Sequence, residues 1–378
     1  MHSFTPDVVR SLQNSDTDER LAAFERFAVA PFPTAHEEIW RYSRIGELSL
    51  DSYRYGTLAT TITGADAILA HDFVDVTDHV LDVFDDLNRA LMTSICLRIP
   101  AGTVLETPIV ITHTLLADGV ACFPRLVIDA EADSEVTVIE RFVSGDDVAG
   151  LIVPVLHVRA QQAARVKYLA VNELGTHVWQ IANQQSVGDR DSSTLISAVA
   201  LGGDYARVHT HATLVGKGGS TRQVALYFAD GTQTHDFRIT QEHIAPKTTA
   251  DLLFKGAVND QARSVYTGLI KIGPEARGTQ AFQTNRNLTL SDGAWAESVP
   301  NLEIETNDVK CSHASTVGPI DEEQRFYLES RGIQPDIAER LVVLGFFDEV
   351  LGQLPVGALA GELRERISHK LHQAVVPV

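Results

Sequence analysis

Three stretches decide the fold: ARVKYLAVNE (164–173), STLISAVALG (193–202) and ARVHTHATLVG (206–216). Each is short, rich in β-branched residues and bounded by Gly, Asp, Asn or Ser, which is the composition of a β-strand between turns. The same texture extends upstream through TVLETPIVITHTL (103–115), PRLVIDAEA (124–132) and SEVTVIERFV (134–143), and downstream through QVALYFADG (223–231). From about residue 94 to 310 no sustained helical pattern interrupts it. An all-β run of this length folds as a sandwich, a barrel or a solenoid. Turns such as EADSEV (131–136), GDRDSST (188–194) and GKGGSTR (216–222) pass straight into the next apolar segment. Stacked coils need short turns of that kind and an inward row of Val, Ile and Leu at each level. The solenoid is favoured, with an irregular period.

Helices flank this body. Val8 to Leu12 and Leu21 to Phe27 carry apolar side chains at helical spacing, with Asp16 and Thr17 as caps. In PFPTAHEEIWRYS (31–43) the prolines stop one helix, and Thr34 with Glu37 forms a capping box that starts another. Val80, Val83, Phe84, Leu87 and Leu91 share one helical face. After the β body, Asp321 and Gln324 open a helix that Gly332 ends. A second helix follows Pro335, and GELRERISHKLHQ (361–373) reads as a third, amphipathic one. The expected division is a helical region over 1–92, a β core over 93–317 and a helical region over 318–378.

Composition narrows the function. The 378 residues carry 50 acidic against 31 basic side chains, a formal charge of -19. Phosphate affinity comes from clustered Lys and Arg, so a nucleic-acid or anionic-membrane surface is not expected. The longest apolar stretch, GLIVPVLHV (150–158), holds a Pro and a His and falls far short of the ~20 residues that span a bilayer. Cys96, Cys122 and Cys311 lie far apart without metal-ligand spacing, which excludes a disulfide framework or a self-contained zinc site. A polar, acidic N-terminus and sparse cysteines fit a cytoplasmic protein.

Most catalytic motifs fail. LVGKGGST (214–221) has its Lys before the Gly pair and a β segment after it, so it reads as a hairpin-like turn and not a phosphate loop. There is no GxGxxG after a strand and no GxSxG. His209 and His211 lie two apart on a strand and share a face, but no Glu follows at the spacing a cupin-type metal site wants. They read as a polar strand face. Glu303 and Glu305 alternate with Ile304 as the wet side of a half-buried strand.

One stretch remains, PNLEIETNDVKCSHASTVGPIDEEQRFYLESRGI (300–333). Cys311 and His313 are two apart on the last expected strand, so thiol and imidazole share a face with Ser312 opposite. A thiolate beside an imidazole suits iron or zinc, although a buried Cys with a hydrogen-bonded His is the commoner arrangement. An iron–sulfur cluster takes four protein ligands, and this pair supplies two. Any cluster held here needs the rest from a second chain, so the site is expected to be shared and transient.

At these residues the chain resembles the SufB/SufD scaffold proteins of iron–sulfur cluster assembly, SufD most closely. The resemblance rests on PNLEIETNDVKCSHASTVGPID (300–321), FYLESRGI (326–333) and ERLVVLGF (339–346). Upstream it includes HEEIWRYS (36–43), FDDLNRAL (84–91), IPAGTVLETPIVITH (99–113), the run 242–272 and the run 283–304. SufB chains are longer, richer in cysteine and read EHEA at this block, whereas this chain reads KCSHAST. Ala314 and Ser315 depart from the commoner Gly and Ala beside the ligand position, and both are small.

The resemblance implies a right-handed parallel β-helix between two helical regions. It implies pairing with a SufB-like paralogue through the β-helix and with a SufC-like ATPase through residues 318–378. It implies a transient iron–sulfur cluster at the subunit junction, with His313 as this chain's ligand and Cys311 as a second contributor. No catalysis of its own is expected. Rival readings are a homodimeric β-helical interaction protein, since an open β edge seeks a partner and the isolated chain is expected to self-pair, and a β-helical carbohydrate-active enzyme. The missing basic cluster and signal peptide weigh against the latter.

Overall fold

The computed structural model describes residues 3–12, 16–65, 68, 69, 76 and 79–374. Near the N-terminus lie α1 (Pro6–Ser11), α2 (Thr17–Val29) and α3 (Val83–Leu91); near the C-terminus lie α4 (Glu322–Ser330), α5 (Pro335–Leu351) and α6 (Gly357–Ala374). Between them the chain winds as a parallel β-helix. Among the described residues its strands form one sheet of 11 and one of 9. Strands in the body of the helix pair in parallel with the strand one coil earlier and one coil later, as Tyr205 with Thr234, Thr234 with Arg263 and Arg263 with Trp295. Partners are 26 residues apart at Trp179–Tyr205 and 32 apart at Arg263–Trp295. That variation hides the repeat from inspection of the sequence.

Alternate side chains fill the lumen. Val208, Phe237, Ile239, Leu252, Phe254, Tyr266 and Ile270 form one core cluster within it. The outer face of the nine-stranded sheet is also apolar and is covered by helices. Val224, Leu226 and Phe228 pack against Val343, Phe347, Val350, Leu363 and Ile367 of α5 and α6. Strands buried on both faces read as continuous apolar runs, which is the pattern of QVALYFADG. Each such side chain contributes about 1.5–3 kcal/mol on burial. Polar ties fix the helices: Lys255 Nζ donates to Phe346 O at 2.9 Å, and Lys370 Nζ donates to Leu201 O at 2.5 Å.

The outer face of the 11-stranded sheet carries the N-terminal segment. Phe24, Trp40, Phe84 and Leu87 meet Trp179, Ile181 and Tyr205 there. Asp82 caps α3, its Oδ1 accepting from Phe84 N at 2.9 Å and from Asn183 Nδ2 at 2.8 Å. The seam is anchored by Asp236, which sits between Arg207 and Arg238, all of them buried.

Three local expectations change. Arg54–Tyr55 and Ala59–Thr63 form strands inside the stretch read as helical, and the second pairs antiparallel with Ile109–Leu115. ATTIT is rich in β-branched residues and finds an open sheet edge there. Thr34 and Glu37 do form their box, Thr34 N donating to Glu37 Oε1 at 2.8 Å, but only one 3₁₀ turn, Glu38–Trp40, follows. Tyr42 in the left-handed region (φ 64) and the burial of Trp40 end it. Residues 214–221 make a coil corner and not a hairpin, because the strands on either side belong to different sheets.

Candidate functional site

Among the described residues no strand is stacked on the last coil. Trp295–Ile304 ends one sheet and Val309–Gly318 ends the other, so each has a single strand neighbour. The inward alternation continues into this coil and places Cys311, His313 and Ser315 over Ala281, Gln283 and Asn285. The lower three are fully buried, whereas His313 and Ser315 are exposed and Cys311 is half-buried against the end of the core with Leu302 and Val309. Ser315 Oγ donates to Ser298 Oγ at 2.7 Å and ties the two final strands together. Ile304 and Val317, facing the same way, are each 43% exposed for want of a further coil. Glu303 and Glu305 lie exposed at the rim.

Partial burial pushes the Cys311 thiol above its ordinary value, so at neutral pH it is a thiol and binds metal only on losing its proton. Cys96 and Cys122 are buried elsewhere, and burial lifts Cys122 to about 12. A maleimide titration of the native chain at about pH 8 is therefore expected to label one cysteine promptly and two only on unfolding, with Cys311→Ser removing the prompt phase.

The other histidine pair does not join this site. His209 and His211 share an outward face under the N-terminal segment: His209 Nδ1 is 3.9 Å from Asp82 Oδ2, and His211 Nε2 is 3.4 Å from Glu242 Oε2. Burial lowers the pKa of both rings. Among the described residues no group of three or more His, Cys, Asp and Glu converges in metal-binding fashion, so Cys311 and His313 stand as two donors.

A second feature lies beside the open coil. A groove of about 1250 Å³ runs between α4, α5 and the final strands, lined by Arg286, Leu288, Tyr327, Leu328, Leu341 and Phe346 among others. Phe326 and Tyr327 on α4 are 71% and 56% exposed. Among the described residues no helix is long and apolar enough to cross a membrane.

Sequence reasoning did not single out Tyr266, Gln283 or Ser298. The available signal was the alternation in TQAFQTNRNLT (279–289), which puts Gln283, Asn285 and Asn287 on a face that is apolar in most other coils.

Residues 113–346 match the family model described as SUF system FeS cluster assembly, SufBD core domain. The chain is 31% identical over 373 residues to an iron–sulfur cluster assembly SufBD family protein of Mycobacterium tuberculosis, covering 92% of both chains. It is 32% identical to the iron–sulfur cluster assembly protein SufD of Bacillus subtilis, covering 79% of this chain and 69% of that one. Against SufD of Escherichia coli the identity is 30%, over 77% of this chain and 70% of that one.

Proposed function

Because this chain belongs to the SufBD family of iron–sulfur cluster assembly proteins, we propose that it is the SufD-type subunit of a cytoplasmic assembly complex, a scaffold that helps build a cluster and performs no catalysis of its own. The observation that carries this reading is the open final coil, where Cys311 and His313 offer two donors beside unpaired strand edges. A cluster takes four ligands, so the missing donors come from a SufB-like paralogue docked on the same coil. The cluster is cargo, formed at the junction and passed on. An unprotonated imidazole binds iron through one nitrogen while a neighbour orients the other. His313 is exposed enough to do this, and Cys311 follows once metal displaces its proton.

The apolar side chains left uncovered on α4, next to the groove, support docking of a SufC-like ATPase on residues 318–378. Residues 93–317 then serve as the assembly core and residues 1–92 as its cover. Self-pairing of the isolated chain through the open coil is the same contact made with the wrong subunit.

His313→Ala, co-expressed with a SufB-like chain and an ATPase subunit, is expected to lower the iron and sulfide that co-purify about tenfold or more, with the three chains still eluting together. Unchanged iron in an intact complex refutes the ligand role. Failure of the three wild-type chains to elute together refutes the partner assignment.

A further inference from the structure

The two strands of the final coil differ in what their free edges offer. In a parallel ladder the N–H and C=O of successive residues point alternately to the strand below and the strand above. Trp295 N donates to Ala262 O at 3.0 Å and Glu305 N donates to Ile272 O at 2.9 Å, so the odd-numbered residues of Trp295–Ile304 face down the stack. Ala296, Ser298, Pro300, Leu302 and Ile304 therefore face the open side, and the middle one has no N–H to give. The residues in register beneath it, Gly268, Ile239, Thr210 and Gln184, all keep theirs. Glu297 and Glu303 stand three residues to either side of Pro300 on the outer face. Proline and charge are among the devices that blunt an exposed sheet edge. Val309–Gly318 has neither at its centre. Gln280 N donates to Thr248 O at 3.0 Å and Lys310 is in register with Gln280, so here the even-numbered residues face down. The open side then carries the N–H groups of Cys311, His313 and Ser315, while the outer face carries Ser312, Ala314 and Thr316, all small and exposed.

We propose that Pro300, flanked by Glu297 and Glu303, is an edge guard: it bars strand addition to the 11-stranded sheet, so that a chain seated on the open coil lengthens the nine-stranded sheet alone. In the isolated protein the occupant of that second edge is the Val309–Gly318 strand of a second copy. Two copies that meet coil to coil are related by a two-fold axis, so equivalent strands run antiparallel across the contact. Along Val309–Gly318 such a pair finds donors and acceptors on both sides and no charge except Lys310 near one end. Along Trp295–Ile304 the carbonyl opposite Pro300 finds no donor, and the proline ring occupies the place of the missing hydrogen. With the axis at the centre of that strand, Glu297 of each copy faces Glu303 of the other, and like charges directly opposite repel. The guard leaves this chain's own ladder intact, because the missing N–H points away from Arg263–Ile272. It acts on any strand laid along that edge, since the absent donor belongs to this chain whichever partner arrives.

This inference rests on the reading of the open coil as a subunit seat, and its test needs neither iron nor another subunit. Self-association of the full chain is measured by sedimentation equilibrium, with folding checked by circular dichroism. The wild type is expected to be a reversible dimer. Pro300→Val restores a donor to each copy and should tighten self-association about tenfold or more, because two hydrogen bonds are recovered per dimer. Ser315→Pro takes a donor from the other edge, leaves the ladder below intact, and should weaken the dimer about tenfold or more. Ser315→Ala keeps the N–H, loses only the tie to Ser298, and should dimerise as the wild type does. Pro300→Ala replaces Pro300→Val, and Ala314→Glu replaces Ser315→Pro, if either misfolds. A wild type that stays monomeric at the highest concentration reached overturns the proposal. So does a Pro300→Val dimer no tighter than the wild type, or a Ser315→Pro dimer no weaker than that of Ser315→Ala. If the dimer responds as expected while a SufB-like chain fails to co-elute, the guard stands and the partner assignment falls. If the three chains co-elute while Pro300→Val changes nothing, the assignment stands and the guard falls.

Discussion

Asp236→Ala is expected to destabilise the protein by about 3–5 kcal/mol, the cost of breaking a buried ion pair from one side. Asp236 accepts from Tyr205 Oη at 2.8 Å, Arg207 Nη1 at 2.9 Å and Arg238 Nε at 2.5 Å, with all four residues 1% exposed or less. Burial alone would raise its carboxyl, but Arg238 and Arg207 hold it below the ordinary range. Without it, two guanidinium groups remain in a site closed to water. The damage should be directional. Arg207 also donates to Ile39 O at 2.9 Å and lies 3.8 Å from the Trp40 ring, and Arg238 donates to Arg41 O. These bonds sew the 39–41 segment to the sheet, so early proteolysis near it should accompany the lower urea midpoint. Asp7→Ala, which removes an exposed pair with Arg10, should shift stability by no more than about 0.5 kcal/mol. A midpoint in Asp236→Ala equal to that of Asp7→Ala would show that the seam does not depend on this carboxylate.

The second large effect is a loss of stability in mild acid. His235 and His243 face the lumen, and burial lowers them from 6.5 to about 3 and about 4. The Lys370 charge adds to the effect at His235. Neutral His235 meets Gly202 O at 3.2 Å, and neutral His243 meets Thr248 Oγ1 at 2.8 Å. Above pH 6.5 neither state binds a proton at these rings and stability does not respond to them. Below 6.5 the unfolded chain takes up both protons while the folded chain takes up neither, so unfolding gains about 1.4 kcal/mol per ring per pH unit. At pH 5 that is about 4 kcal/mol for the pair. The loss at His243 levels off near pH 4 and that at His235 near pH 3. Asp82 and Asp236, both lowered in the folded chain, carry the decline further below pH 3.8 with the same sign. Urea midpoints at pH 7, 6 and 5 should fall steadily in the wild type and much less in His235→Asn/His243→Gln. Equal slopes in the two proteins would contradict the assignment.

The coarse fold was legible because a strand buried on both sides has to be apolar, β-branched and short, and segments such as ARVKYLAVNE and STLISAVALG repeated over so long a run exclude a helical body. The coil period was not legible, since corners absorb anything from the tight turn at 189–192 to the longer one at 273–278. ATTIT was hidden by its helical surroundings, and its role depends on a sheet edge supplied from Ile109–Leu115. Cys311 and His313 stood out because spacing of two on a strand fixes a shared face. Gln283 did not, because its burial under residue 313 and its close approach to Gly268 come from a register that only stacking creates.

The final coil has a consequence for motion. Strands Trp295–Ile304 and Val309–Gly318 have half the ladder of the strands directly beneath them, so their amides are poised to fray and exchange with solvent. In a one-dimensional stack, a level capped from above shares the cooperativity of the whole column, whereas an uncapped one melts by itself. A subunit seated there would act as the missing storey, and the slowing of amide exchange it brings to residues 295–318 would measure how much of this protein's order is completed from outside.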